Sequence, residues 1–291
     1  MSNPEDAAPV VVGIDGSEDA LLALDWAAAE AARHGWPLRL VNAYQTPVAA
    51  LPAVAVSLPS PIDESEKFLD EAKERVARSH PELPVTTVRL VGPAPQVLLD
   101  ESAQARMLVV GREGLSRMAE LVLGSVSLAC AMHAKTPVAV VPASWTRPAT
   151  PYDRVVVGVD GSDNCQAAVK YAFGAAAERG AELVAVYAWY APTRWPEGWP
   201  IGADMPEIEA ELNRDLVEFL SKWRATYPQV AVRPVAEFNH PTHALARHAA
   251  EADLVVIGGR GHGTITGALL GSVARAILRS LDRPTVVVHQ P

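Results

Sequence analysis

The sequence predicts two tandem α/β domains, each a doubly wound, five-stranded parallel sheet flanked by helices. Three observations carry that prediction. Strand-like and helix-like runs alternate along the chain, the order that builds parallel sheets with helices on both faces. An apolar run such as Leu254-Val255-Val256-Ile257 is unbroken by polar residues, as a strand buried on both faces requires. The pattern also occurs twice. Val10-Val11-Val12-Gly13-Ile14-Asp15-Gly16-Ser17 lines up with Val155-Val156-Val157-Gly158-Val159-Asp160-Gly161-Ser162 at an offset of 145 residues. The same offset matches Ala23, Ala27, Ala31, Ala32, Gly35, Leu38, Val41 and Ala43 to identical residues. A period that long marks a duplicated domain, since solenoid repeats are much shorter.

In the first unit, residues 10–14 form a strand. Ser17 is placed as an N-cap, with Glu18 and Asp19 in the first turn, and the alanine-rich helix runs to His34, where Gly35 ends it. Residues 38–43 are the second strand. Residues 44–62 carry Pro47, Pro52, Pro59 and Pro61 and read as loop. A charged amphipathic helix follows over 63–79, then a strand over 85–90, a helix over 95–105, a strand over 107–110, a helix over 124–134 and a last strand over 138–141. The second unit repeats the order over 154–159, 163–179, 183–188, 207–225, 230–237, 241–252, 254–257, 271–281 and 285–288. The domains are therefore placed at residues 8–142 and 152–290, joined by a stiff proline-rich linker over 143–151.

Composition narrows the function. The chain has 291 residues, enough for two domains with a core each. Its net charge of -9 and five ungrouped lysines exclude a nucleic-acid partner, which needs clustered positive charge. The first residues, Met1-Ser2-Asn3-Pro4-Glu5-Asp6, lack the basic and apolar regions of a signal peptide. No apolar run approaches the roughly 20 residues of a membrane span. Two cysteines at unmatched positions, Cys130 and Cys165, make neither a disulfide framework nor a zinc site and suit a reducing cytoplasm.

The chemistry is concentrated in a second repeated motif. Gly258-x2-Gly261-x9-Gly271-Ser272 follows the strand over 254–257, and Gly111-x2-Gly114-x9-Gly124-Ser125 follows the strand over 107–110, displaced by 147 residues. Ser272 is placed at a helix N-cap, so the positive helix end and its free N–H groups would face the glycine turn. Glycines allow backbone to approach a ligand closely, and the combination makes an anion site. In a doubly wound sheet ligands sit beyond the C-terminal strand ends where strand order reverses. Asp15 and Asp160, each ending a first strand, would share that crevice. A carboxylate there suits ribose hydroxyls or an adenine edge; Val41 and Val186 would supply an apolar wall and backbone groups for a base.

Competing motifs fail. No Gly-x4-Gly-Lys-Ser/Thr occurs, which excludes a P-loop. Gly259-x-Gly261-x-Gly263 hints at a dinucleotide loop but follows the wrong strand. His240, His243 and His248 lack i,i+4 spacing and an acidic partner, so they read as surface or cap histidines. Cys165 reads as a buried thiol. Trp189, Trp195 and Trp199 fall in the loop after a second strand, as a lid over a base or as packing. No residue stands out as a catalytic base, nucleophile or metal ligand.

Strand-Gly-x-Asp-Gly-Ser-helix at the start of each half, with Gly-x2-Gly-x9-Gly-Ser before its last helix, resembles the ATP-binding branch of the universal stress protein family. The resemblance covers both halves and implies a Rossmann-like, adenine nucleotide alpha hydrolase-like fold. It implies ATP as ligand, alone or with Mg2+ held mainly by the phosphates. Carried onto matching positions, it puts adenosine at Gly13, Asp15 and Val41, and at Gly158, Asp160 and Val186. Phosphates go to Gly111, Arg112, Gly114, Arg117, Gly124, Ser125 and Val126 in the first half. In the second they go to Gly258, Arg260, Gly261, Gly263, Gly271, Ser272 and Val273. The implied role is nucleotide-dependent stress regulation with slow or no hydrolysis; the alternatives are a genuine ATPase or nucleotidyl-transferring enzyme, and a nucleotide-free assembly module.

Two expectations follow about inequality and assembly. Arg260 and Gly263 stand where the first half has Glu113 and Ser116, so the C-terminal site is expected to be the tighter. Arg112 and Arg117 flank Glu113 and offset part of the loss, so the first site is not expected to be empty. The apolar last strands, residues 137–141 and 284–288, are expected at sheet edges and paired as an intramolecular pseudo-dimer, resembling the homodimers of single-domain relatives.

Overall fold

The computed structural model describes residues 8–45, 60–114, 123–162, 165–190, 205–261 and 270–290. The chain divides into two units, Met1–Arg147 and Pro148–Pro291. Unit 1 runs β1 (Val10–Gly13), α1 (Glu18–His34), β2 (Leu38–Tyr44), α2 (Pro61–Ser79), β3 (Val85–Val91), α3 (Ala94–Ser102), β4 (Met107–Gly111), α4 (Ser125–His133) and β5 (Val138–Val141). Unit 2 runs β6 (Arg154–Val159), α5 (Cys165–Arg179), β7 (Glu182–Trp189), α6 (Met205–Thr226), β8 (Val232–Phe238), α7 (Pro241–Ala249), β9 (Leu254–Gly258), α8 (Ser272–Ser280) and β10 (Thr285–Val288).

Within unit 1 the strand order is β3-β2-β1-β4-β5, and within unit 2 it is β8-β7-β6-β9-β10. The pairings inside both units are parallel. Order reverses between β1 and β4 and between β6 and β9, which puts a crevice at the C-terminal ends of those pairs. The central strands are fully buried, as their unbroken valine and leucine runs predict: Val10, Val11, Val12, Leu108, Val109, Val155, Val156, Val157, Val255 and Val256 are all 0% exposed.

α1 obeys its end signals. Ser17 Oγ accepts from the Ala20 amide at 3.2 Å, and Gly35 closes the helix at φ 65°, where a β-carbon would be strained. Its alanines lie flat on the sheet, with Ala23, Ala27 and Ala31 0% exposed. Several boundaries differ from expectation, among them the end of α3, which stops at Ser102, three residues short of 105. Pro61, read as loop, is in the first turn of α2, which Ser60 caps at the Ile62 amide (3.3 Å); proline fits there because its missing N–H would be unpaired anyway. Trp189, placed in a loop, ends β7, paired with Phe238, and its ring meets the Phe238 ring edge-on at 4.8 Å. α7 stops at Ala249, three residues short of the expected end. Ser272 is the first helical residue of α8 and the cap is Gly271; α4 repeats this with Ser125 and Gly124.

Candidate functional site

In unit 1 the crevice holds a cavity of about 240 Å³. Gly13, Ile14 and Asp15 line it from β1, Val41 and Ala43 from β2, and Val110 and Gly111 from β4. Glu113 and Gly114 of the loop, Leu98 of α3 and the start of α4 complete the wall. Gly13 and Val41 are register partners across β1 and β2, so one strand pair sets both. The Val41 carbonyl accepts from the Ile14 amide at 2.9 Å, so Val41 offers the cavity chiefly its side-chain wall.

The Asp15 carboxylate is fixed on two sides. Its Oδ1 accepts from the Ser17 amide at 2.9 Å and from Ser17 Oγ at 2.5 Å, closing a turn that Gly16 makes at φ 83°. Its Oδ2 lies against the glycine loop, where a Cβ on Gly114 would sit 2.7 Å away. Thus the carboxylate and the loop, 99 residues apart in sequence, meet because Gly114 has no side chain.

At the other end, the first intrahelical hydrogen bond of α4 is Leu128 N–H to the Gly124 carbonyl, 2.9 Å. The amides of Ser125, Val126 and Ser127 precede it and have no acceptor within the helix, the arrangement that binds anions. Gly124 N–H donates to the Arg112 carbonyl at 2.9 Å, which draws the two ends of the loop together. Ser127 Oγ tightens that stitch, donating to the Gly111 carbonyl at 2.6 Å and lying 3.1 Å from that of Arg112.

Unit 2 repeats the scaffold. Asp160 Oδ1 accepts from the Ser162 amide at 3.0 Å and from Ser162 Oγ at 2.7 Å, and a Cβ on Gly261 would lie 2.6 Å from Asp160 Oδ2. Gly271 N–H donates to the Gly259 carbonyl at 2.9 Å, and the first bond within α8, Arg275 N–H to Gly271, leaves the Ser272, Val273 and Ala274 amides ahead of it. Gly158 pairs with Val186 as Gly13 does with Val41. Gly258 ends β9, and Arg260 follows in the loop, exposed. Arg117 and Gly263 lie outside the described residues, as do Trp195 and Trp199.

Sequence reasoning missed several contributors. Leu98 Cδ1 would lie 3.1 Å from a Cβ at Gly13, and Leu245 Cδ1 3.2 Å from one at Gly158, so each glycine admits a leucine from α3 or α7. The signal was there: Leu98 and Leu245 match at the offset of 147. Asp19, taken only as a first-turn acid, is 2% exposed, and its Oδ2 accepts from the Glu113 amide at 3.1 Å. No signal in the sequence identified Ser127, since its counterpart is Ala274. The histidines also need a correction. Glu237 of β8 is an acidic partner to His248, 3.2 Å from its Nε2, and is paired with Arg247. His240 caps α7 through the Thr242 amide at 3.3 Å. Cys165 is the buried thiol expected, its pKa pushed up by desolvation to about 11, and Cys130 is held likewise at about 12. Among the described residues no group of three or more histidine, cysteine or acidic side chains is placed to hold a metal ion, and no helix is long and apolar enough to cross a membrane.

A parallel α/β sheet with a carboxylate and a glycine loop at its switch point, present twice, defines a tandem Rossmann-like protein. The universal stress protein family model matches residues 8–142 and 151–289, and the chain belongs to that family. It is 33% identical over 300 residues to a universal stress protein of Mycobacterium tuberculosis, covering 100% of both chains. One from Mycolicibacterium smegmatis is 33% identical over 287 residues, with 96% of each covered. Among solved structures, a universal stress protein from Archaeoglobus fulgidus matches with a TM-score of 0.68 at 19% identity, over 97% of this chain and 96% of that one.

Proposed function

We propose that this protein is an ATP-binding stress regulator, working through nucleotide occupancy with slow or no hydrolysis in the cytoplasm. One observation carries the reading. In each unit a fixed carboxylate at the end of the first strand abuts the loop glycine, and three first-turn amides of the last helix have no acceptor within the helix; in unit 1 both line one cavity. The carboxylate suits ribose hydroxyls, the apolar wall of Val41 or Val186 suits the base, and the amides suit phosphates, to which Mg2+ would bind. Asp15 and Asp160 are each engaged in holding a turn, which favours a binding site over one that moves protons. The experiment is mass analysis of nucleotide retained after gentle purification, with its stoichiometry. ATP at up to two per chain is expected; protein that is nucleotide-free and unresponsive to added ATP in calorimetry would overturn the reading.

We also propose that β5 and β10 pair to hold the halves as a pseudo-dimer. Both are apolar and each ends the strand order of its own unit, and such edges are usually covered. The separately expressed halves should associate in sedimentation. Stable halves that stay monomeric at high concentration would refute the pairing.

A further inference from the structure

The two sites share a scaffold but differ in the charge they present to a phosphate chain. Three features of unit 1 point the same way. Its cavity wall carries two carboxylates, Asp15 and Glu113, and no lysine or arginine among the described lining residues. The Glu113 amide, a loop N–H that would otherwise be offered to phosphate, donates to the buried Asp19 carboxylate. That bond also fixes the loop so that Glu113 stays at the cavity. The Arg112 guanidinium lies 3.9 Å from the Glu113 carboxylate and offsets it in part, yet Arg112 is buried and is not part of the wall.

Unit 2 reverses the sign at the deciding position. Arg260 replaces Glu113 and is exposed, beside a glycine loop that meets Asp160 as its counterpart meets Asp15. Among the described residues the carboxylate, its turn and its approach to the loop glycine are alike in the two units, and the side chain at this loop position is of opposite charge.

We propose that the chain divides adenine nucleotides between its sites by charge: unit 2 takes the triphosphate, and unit 1 takes the nucleoside or its monophosphate. The proposal rests on the adenine-nucleotide reading above. Each added phosphate brings negative charge toward Glu113 in unit 1 and toward Arg260 in unit 2. Charges a few ångströms apart and partly exposed change affinity by about ten-fold or more. A chain of this kind would sense the ratio of triphosphate to its breakdown products, one site responding to each.

The test is calorimetric titration of the full chain with ATP, AMP and adenosine, with and without Mg2+. Asp15→Ala and Asp160→Ala variants assign each binding step to a unit. Asp160→Ala should remove the tight ATP step, and Asp15→Ala the tight AMP or adenosine step. Glu113→Arg should tighten ATP at unit 1 by about ten-fold or more while leaving adenosine there unchanged, a split that a merely structural role would not produce. If unit 1 binds ATP as tightly as AMP in both metal conditions, or if Glu113→Arg shifts ATP and adenosine alike, the division by charge is overturned. If none of the three ligands binds either unit, the adenine-nucleotide reading itself falls, and the proposal with it.

Discussion

Asp160→Ala is expected to weaken ATP binding at unit 2 by roughly ten- to 150-fold while the protein stays folded. A charge-assisted hydrogen bond between a ribose hydroxyl and this carboxylate would contribute about 1.5–3 kcal/mol, which the substitution would remove. The structure adds a second consequence. Asp160 Oδ1 also accepts from the Ser162 amide and hydroxyl, so the substitution releases the turn that leads into α5. Losses of that kind cost about 1 kcal/mol, and a small fall in denaturation midpoint should accompany the loss of affinity. Asp160→Asn separates the two effects, because an amide oxygen can keep the turn while the negative charge is gone. Calorimetry on the three proteins decides: unchanged affinity in Asp160→Ala would remove the residue from the site.

The sequence was informative wherever a local rule and the global fold agreed. Val10 to Val12 and Val155 to Val157 could be assigned because strands buried on both faces leave an unbroken apolar run. Ser17 and Gly35 bound α1 where their end-signal chemistry put them. The carboxylates and glycines of the crevice were legible because they recur at fixed offsets in both halves. What stayed hidden was set by contacts distant in sequence. Asp19 holds the Glu113 amide across 94 residues, and nothing about an acid in a helix first turn distinguishes that role from a favourable dipole interaction. Ser272 was misplaced by one position because glycine and serine are both good caps, and the backbone of Gly271 decides between them. Trp189 lies one residue past the strand end expected at 188, and it is the pairing with Phe238, 49 residues on, that carries the strand through it.

Gly111→Ala and Gly114→Ala are expected to fail in different ways, although both change one loop by one methyl group. A Cβ on Gly111 would lie 2.9 Å from the Asp19 carbonyl carbon and 2.9 Å from Asp19 Cβ. Those atoms belong to the first turn of α1 and cannot step aside without moving the helix off β4. Overpacking against backbone costs about 1–3 kcal/mol, so Gly111→Ala should lower the stability of unit 1 clearly and loosen the loop that Asp19 holds. Among the described residues the close contact of a Cβ on Gly114 is with the Asp15 carboxylate, Oδ2 at 2.7 Å. A carboxylate can rotate away, and the fold should survive almost unchanged. Its rotation strains the Oδ1 bonds to Ser17 and takes the carboxylate out of the position a ribose would use, so nucleotide affinity at unit 1 should fall by ten-fold or more, about 1.4 kcal/mol. Gly261→Ala should do the same at unit 2, where the distance to Asp160 Oδ2 is 2.6 Å. Chemical denaturation and calorimetry on each variant distinguish these outcomes. A Gly114→Ala protein that binds normally would show that the approach of loop to carboxylate is packing alone, and a Gly111→Ala protein of native stability would show that α1 yields where the geometry says it cannot.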